Sequence, residues 1–242
     1  MTDKPTSLKR ISRIAGTGYL IIFITGIFSN FFVIEGLIVP GDPAKTTANI
    51  IVSDGLFRFG IFSFLVMVIF DLVLTWALYI LLQPVNKNLS LFTAWFRLVN
   101  VAIFGMALVH LFAILQLTKD YGFLEITEQN WVNSQVMHSL NMFNDTWLIG
   151  LVFFGVHLLF LGYLIHRSGY IPKILGILLI IASIGYLADS FASFMLPDYA
   201  DFENIFMIIV VITGIVGELS FTLWLLFNGV RDQMPVVDET AI

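Results

Sequence analysis

Cysteine is absent from the 242-residue chain. Its absence removes disulfides, thiolate metal sites, iron–sulfur clusters, c-type haem and cysteine nucleophiles. Charge is also scarce. Asp, Glu, Lys and Arg make up 12% of the residues, about half the roughly 25% of an ordinary globular domain. The net charge is -5 and no basic run occurs, which argues against nucleic acid as a partner. Stretches of alternating polarity are missing, so a membrane β-barrel does not fit. There is no Gly-rich phosphate loop, no His-Glu-x-x-His, no Gly-x-Ser-x-Gly and no dinucleotide fingerprint.

What the chain has in excess is apolar surface. Hydrophobic residues are 58% and mean hydropathy is +0.92, more than a soluble core of this size can hide. A disordered chain, a collagen-like fibre and a soluble enzyme are excluded. A helix crossing about 30 Å of hydrocarbon needs roughly 20 mostly apolar residues. Six segments qualify: Ile14–Val33, Gly60–Leu82, Leu91–Leu115, Trp147–Ile165, Ile174–Leu196 and Ile205–Phe227. The first is too long for a cleavable signal, and Asn30-Phe31-Phe32 stands where a small-residue cleavage site would be.

The expected fold is therefore an all-α polytopic membrane protein. It has a basic N-terminus (1–13), a six-helix transmembrane domain (14–230) and a polar tail (231–242). Lys4, Lys9, Arg10, Arg13, Lys87, Arg97, Arg167, Lys173 and Arg231 fall on one side, and only Lys45, Arg58 and Lys119 on the other. By the positive-inside rule both termini are cytoplasmic. The bilayer itself is the expected partner, and self-association stays open. Three spans leave the basic side on similar tetrapeptides: Arg13-Ile14-Ala15-Gly16, Arg97-Leu98-Val99-Asn100 and Lys173-Ile174-Leu175-Gly176. This suggests three parallel helical hairpins and puts Arg97 at the inner interface, snorkelling to the head groups. An alternative pairs Arg97 with Glu218 or with an anionic head group. Trp95, Trp131 and Trp147 fall near the interfaces, as belt aromatics should.

A charge in the bilayer centre costs at least about 2.5–3.5 kcal/mol on insertion scales. Asp71, His110, His157 and Glu218 are far from any span end. At about 1.5 Å per residue each is roughly 15–20 Å from the inner turns. Asp189 and Asn30 are nearer the outer face. Two carboxylates and two imidazoles make a proton relay or a ligand set for Zn, Fe or Mn, with Asp71, His157 and Glu218 the firmer candidates for a metal. They can also pair off and lock helices, although such bonds average only about 0.6 kcal/mol in membranes. Gly150, Gly155 and Gly162 in span four, and Gly214 and Gly217 in span six, offer small-residue faces for close helix approach. His138, Asn141 and Asp145 share one helical face. They either extend a polar path inward or form a solvated extension.

Several strings carry a family resemblance. They are Arg13-Ile14-Ala15-Gly16 with Tyr19-Leu20, Phe57-Arg58-Phe59-Gly60 with Asp71-Leu72, Gln83-Pro84-Val85-Asn86, Ala94-Trp95-Phe96-Arg97-Leu98, Gly150 to Leu158, Gly185 to Phe191, and Gly217-Glu218-Leu219. From about Ile11 to Val230 the chain resembles the prokaryotic membrane family called domain of unknown function 4386. The resemblance implies a fold and no activity. It also implies that Asp71, Arg97, His157, Asp189 and Glu218 sit at typical family positions, which favours Arg97 as part of a shared site.

Three functions follow. The first is binding or transport of an ion, proton or small polar ligand at Asp71, His157 and Glu218, with Arg97 and Asp189 as further site residues. The second is metal-dependent hydrolysis of a lipid or amide, with the metal on His157 and Asp71 or Glu218. The third is an accessory or scaffold subunit.

Overall fold

A computed structural model describes residues 7–230. Lys4, Arg231 and the rest of the polar tail lie outside the described residues. In hydrocarbon every backbone N–H and C=O needs an internal partner, and long runs without proline let a helix continue once begun. Among the described residues there is no strand. Seven helices longer than one turn organise the described residues: α1 (Leu8–Leu37), α2 (Pro43–Val52), α3 (Asp54–Leu82), α4 (Lys87–Leu117), α5 (Ile126–Arg167), α6 (Lys173–Met195) and α7 (Glu203–Phe227). All except the short α2 are long and apolar enough to cross a membrane, and each coincides with one of the six expected spans, α6 ending at Met195, one residue before the expected Leu196. Large apolar side chains such as Ile24, Phe62, Val109 and Ile184 are exposed, as lipid-facing positions should be.

Two helices begin earlier than hydropathy indicates. α5 starts at Ile126, not near Trp147, and its 42 residues run about 63 Å, twice the hydrocarbon thickness. The segment 126–146 is rich in Asn, Gln, Ser and Thr but contains neither Gly nor Pro. Its buried residues Val132, Val136, Leu140 and Phe143 recur every three or four positions, the signature of an amphipathic helix. His138, Asn141 and Asp145 are exposed on it. They form the solvated extension and do not make an inward polar path. α2 lies in what the sequence reads as a connection. Asp42 accepts from the Lys45 N–H at 2.9 Å and Pro43 occupies the first helical position, an ordinary helix start.

The chain divides into two compact units. The second comprises Ile21–Phe70 and Val101–Gly150. Phe104 stacks on Trp147 with centroids 3.7 Å apart, and Phe64 meets Trp147 and Phe143 at 5.2 and 5.7 Å. Trp147 is thus a packing aromatic in this unit. α1 contains a π-helical stretch, Phe28–Ile34. Here Ser29 donates to the Gly60 carbonyl at 2.9 Å. A Cβ on Gly60 would lie 2.7 Å from Val33, so only glycine admits this approach.

The first unit takes the described residues up to Leu20, Asp71–Asn100, and those from Leu151 onward. Ser12 of α1 donates to the Leu225 carbonyl of α7 at 3.3 Å. Ser183 of α6 donates to the Gly155 carbonyl of α5 at 2.7 Å. Tyr170 donates to the Leu81 carbonyl of α3 at 2.6 Å. This unit holds the buried ionisable residues.

Candidate functional site

Helix length places the charged groups. Arg97 lies ten residues after the start of α4 at Lys87, about 15 Å along its axis. Asp71 lies eleven residues before the end of α3 at Leu82, and His157 ten before the end of α5 at Arg167. All three are therefore near mid-span. They are 1–3% exposed. Four of the six spanning helices meet directly at one guanidinium. Arg97 Nε donates to Asp71 Oδ1 at 2.7 Å, and Nη2 reaches the same oxygen. Nη1 donates to His157 Nε2 at 3.0 Å and to the Tyr19 hydroxyl at 3.4 Å. The guanidinium carbon is 5.2 Å from the Tyr19 ring centroid and 5.4 Å from that of Phe154, so aromatic faces cover the cation.

The partners fix the histidine tautomer. A guanidinium has no acceptor, so Nε2 of His157 must carry the lone pair. Nδ1 then carries the proton and donates to the Thr93 carbonyl at 2.9 Å. Thr93 is one turn before Arg97 on α4. One helix therefore sets both contacts of the imidazole.

Arg97 is the principal departure from the sequence reading. It is buried and paired with Asp71, and does not snorkel. The tetrapeptide alignment equates it with Arg13 and Lys173, yet both of those are exposed. A guanidinium stays in an apolar core only when its donors are met, and Asp71, His157 and Tyr19 meet them.

Glu218 lies in the same unit, in a π-helical stretch of α7, Ile215–Leu219, a local geometry frequent at functional sites. It accepts from the Tyr186 hydroxyl of α6 at 2.9 Å. Gly214, one turn earlier, makes this possible, because a Cβ there would lie 2.8 Å from the Tyr186 oxygen. Tyr186 packs edge-on against Phe154 at 5.2 Å, and Phe154 also covers Arg97. All six spanning helices thus contribute: Tyr19, Asp71, Arg97, His157, Tyr186 and Glu218.

Two of the sequence candidates do not join. Asp189 is held apart by Tyr199 of the α6–α7 connection, whose hydroxyl donates to Oδ1 at 2.6 Å. Burial, and then this bond to Asp189, push the Tyr199 phenol above its ordinary range. His110 is only half-buried and belongs to the second unit. The metal-ligand set of Asp71, His157 and Glu218 does not assemble either. Among the described residues no three His, Asp or Glu side chains gather as a metal-holding group. The physical reason is Arg97, whose fixed positive charge stands between Asp71 and His157 where a cation would have to go.

Sequence reasoning missed Tyr19, Thr93, Phe154 and Tyr186 as parts of the site. Tyr19 and Tyr186 were legible only as hydroxyl-bearing aromatics inside apolar spans. Such hydroxyls usually find partners when buried.

Beside His157 a cleft of about 10 Å³ is lined by Thr75, Tyr79, Ser90 and Thr93 among others. That is about the space one water needs.

Comparison with known proteins assigns a family and adds no activity. An uncharacterized protein of the archaeon Archaeoglobus fulgidus is 34% identical over 171 residues, covering 71% of this chain and 84% of its own length. No solved structure matches. The family model described as "Domain of unknown function (DUF4386)" matches residues 14–229, and the chain belongs to that family.

Proposed function

We propose that the chain is a multi-pass protein of a prokaryotic cytoplasmic membrane, with both termini in the cytoplasm, that binds and exchanges a proton at Glu218. The orientation rests on the basic residues that flank the spans, with Arg97 no longer counted among them. The reading of the site rests on one observation: among the described residues of this unit the buried cation Arg97 is bonded to the Asp71 carboxyl, and the buried Glu218 carboxyl is not bonded to it. Asp71 is bonded to it directly. Among the described residues Glu218 has a tyrosine hydroxyl as its direct partner. Buried charges persist when paired and are otherwise costly, so a proton is the smallest species that balances Glu218. The size of the cleft at His157 favours a proton or a water over a larger solute.

Infrared pH-difference spectra of the protein in vesicles test this. The expected result is a carboxyl C=O band that converts to carboxylate as pH rises, absent from Glu218→Gln and retained in Asp71→Asn. Glu218→Gln keeps the Tyr186 contact as a neutral acceptor, and its stability in detergent stays within about 1 kcal/mol of the parent. A band that survives in Glu218→Gln assigns the exchange elsewhere and overturns the proposal. Absence of any such band favours a second reading, an accessory subunit whose buried polar groups only lock helices. What supports that alternative is His157, with both ring nitrogens already engaged.

A further inference from the structure

A second feature, in the other unit and independent of the proton site, has the chemistry of a lipid site. A groove of about 230 Å³ is walled by Ile61, Phe62 and Leu65 of α3 and by Phe112 and Leu115 of α4, with Arg58 also lining it. Every wall residue except Arg58 is a hydrocarbon side chain. Phe62, Leu65 and Phe112 are exposed, so the groove is open to its surroundings and is not a sealed void.

Its depth in the membrane follows from the spans. The second expected span begins at Gly60, two residues after Arg58. The third ends at Leu115. The groove thus lies where two apolar segments meet the head-group layer at the same face. An apolar groove at that level is next to acyl chains by default, and the question is whether its polar end selects a head group.

At that end Arg58 lines the groove and is paired with Asp54, one turn earlier on α3 and outside the lining. Arg58 Nε is bonded to Asp54 Oδ2 at 2.7 Å, with the side chains 58% and 49% exposed. Engagement through Nε leaves the terminal guanidinium nitrogens to donate to a phosphate, the geometry in which arginine excels. Asp54 retains a carboxylate oxygen that can accept from an ammonium. An isolated arginine would select anionic lipid. An Arg–Asp pair complements a head group that itself carries one charge of each sign.

We propose that this groove binds one zwitterionic aminophospholipid of the phosphatidylethanolamine type. Its phosphate rests on Arg58, its ammonium on Asp54 and the upper part of one acyl chain on the Phe62–Phe112 wall. The groove accounts for specificity by charge placement and for retention by buried methylenes.

Native mass spectrometry of the full-length protein, released from detergent with defined lipid added, tests the assignment. The expected result is one retained phosphatidylethanolamine, held about fivefold or more tightly than phosphatidylglycerol of the same chains. That ratio corresponds to roughly one exposed-to-half-buried ion pair. Arg58→Gln removes the retained lipid. Asp54→Asn keeps lipid binding but abolishes or reverses the head-group preference. Leu65→Trp fills the groove, leaves the ion pair intact and lowers retention of both lipids. Position 65 is 37% exposed, so this variant keeps its fold. Equal retention of the two lipids by the wild type, or an Asp54→Asn protein with unchanged preference, overturns the proposal and leaves ordinary annular lipid.

Discussion

Replacing Arg97 with methionine is expected to cost about 3–5 kcal/mol of stability, the usual cost of leaving one partner of a buried ion pair alone. Asp71 loses two donors from the same side chain, and His157 Nε2 loses its own. Arg97→Lys should fall between. An ammonium can satisfy Asp71 but is a point donor on a flexible stem, without the planar fork that reaches Asp71, His157 and Tyr19 together. The informative variant is the double one. Asp71→Val/Arg97→Met removes both charges and replaces them with apolar groups of similar bulk. Buried pairs replaced in this way are often neutral or even more stable. Here His157 Nε2 is still left without a donor, at about 1–3 kcal/mol. The double variant should therefore be more stable than Arg97→Met alone, which is a coupling of opposite sign to the single effects. Unfolding by SDS in mixed micelles, followed by circular dichroism, measures all four corners of this cycle. Additive single effects would mean that the two residues do not act as a pair.

The same guanidinium explains what the sequence could and could not reveal. Six apolar segments, each about as long as the hydrocarbon core is thick, leave little choice of architecture, so the spans were legible from composition and length alone. Burial of Asp71, His157 and Glu218 was legible as well, because charge in a long apolar run has few places to hide. Which of them touch was not. Hydropathy locates a residue along a helix axis but says nothing of its angle around it. His110 looks equivalent to His157 by depth and yet is half-buried in the other unit.

Arg97 misled for a different reason. Its tetrapeptide matches those of two interfacial residues. The match concerns neighbours along the chain, whereas its burial depends on Asp71, Tyr19 and His157 from three other helices. The start of α5 shows the complementary error. A hydropathy window rejects the polar segment 126–146. The absence of helix breakers and the spacing of Val132, Val136, Leu140 and Phe143 carry the correct assignment. The π-helical stretch around Glu218 has no signature in composition at all.

The small-residue faces lead to the second large effect. Gly162 was legible as one of a glycine series on span four, but its partner was not. The structure supplies it: α5 and α6 meet glycine to glycine. A Cβ on Gly176 would lie 2.5 Å from the Gly162 carbonyl oxygen and 2.9 Å from the His166 nitrogen. One on Gly162 would lie 2.6 Å from the Gly176 carbonyl oxygen and 3.2 Å from the Ile180 nitrogen. These are backbone atoms and cannot swing aside as a side-chain tip can, so the helices must separate. Separation also stretches the Ser183 hydroxyl from the Gly155 carbonyl, now at 2.7 Å, on the same interface. Gly176→Ala is therefore expected to cost about 3 kcal/mol, the upper part of the range for overpacking. That cost stands despite the roughly 0.5–1 kcal/mol that alanine gains over glycine inside a helix. Gly162→Ala should cost a similar amount. The two together should cost less than their sum, since a gap opened for one methyl admits the other. Gly105 in α4 is the control, because a Cβ there meets nothing within 4 Å. Gly105→Ala should be neutral or stabilising by up to about 1 kcal/mol. If Gly176→Ala and Gly105→Ala unfold within about 0.5 kcal/mol of each other in the same micelles, glycine contact does not hold α5 against α6, and the bulky side chains along that interface do.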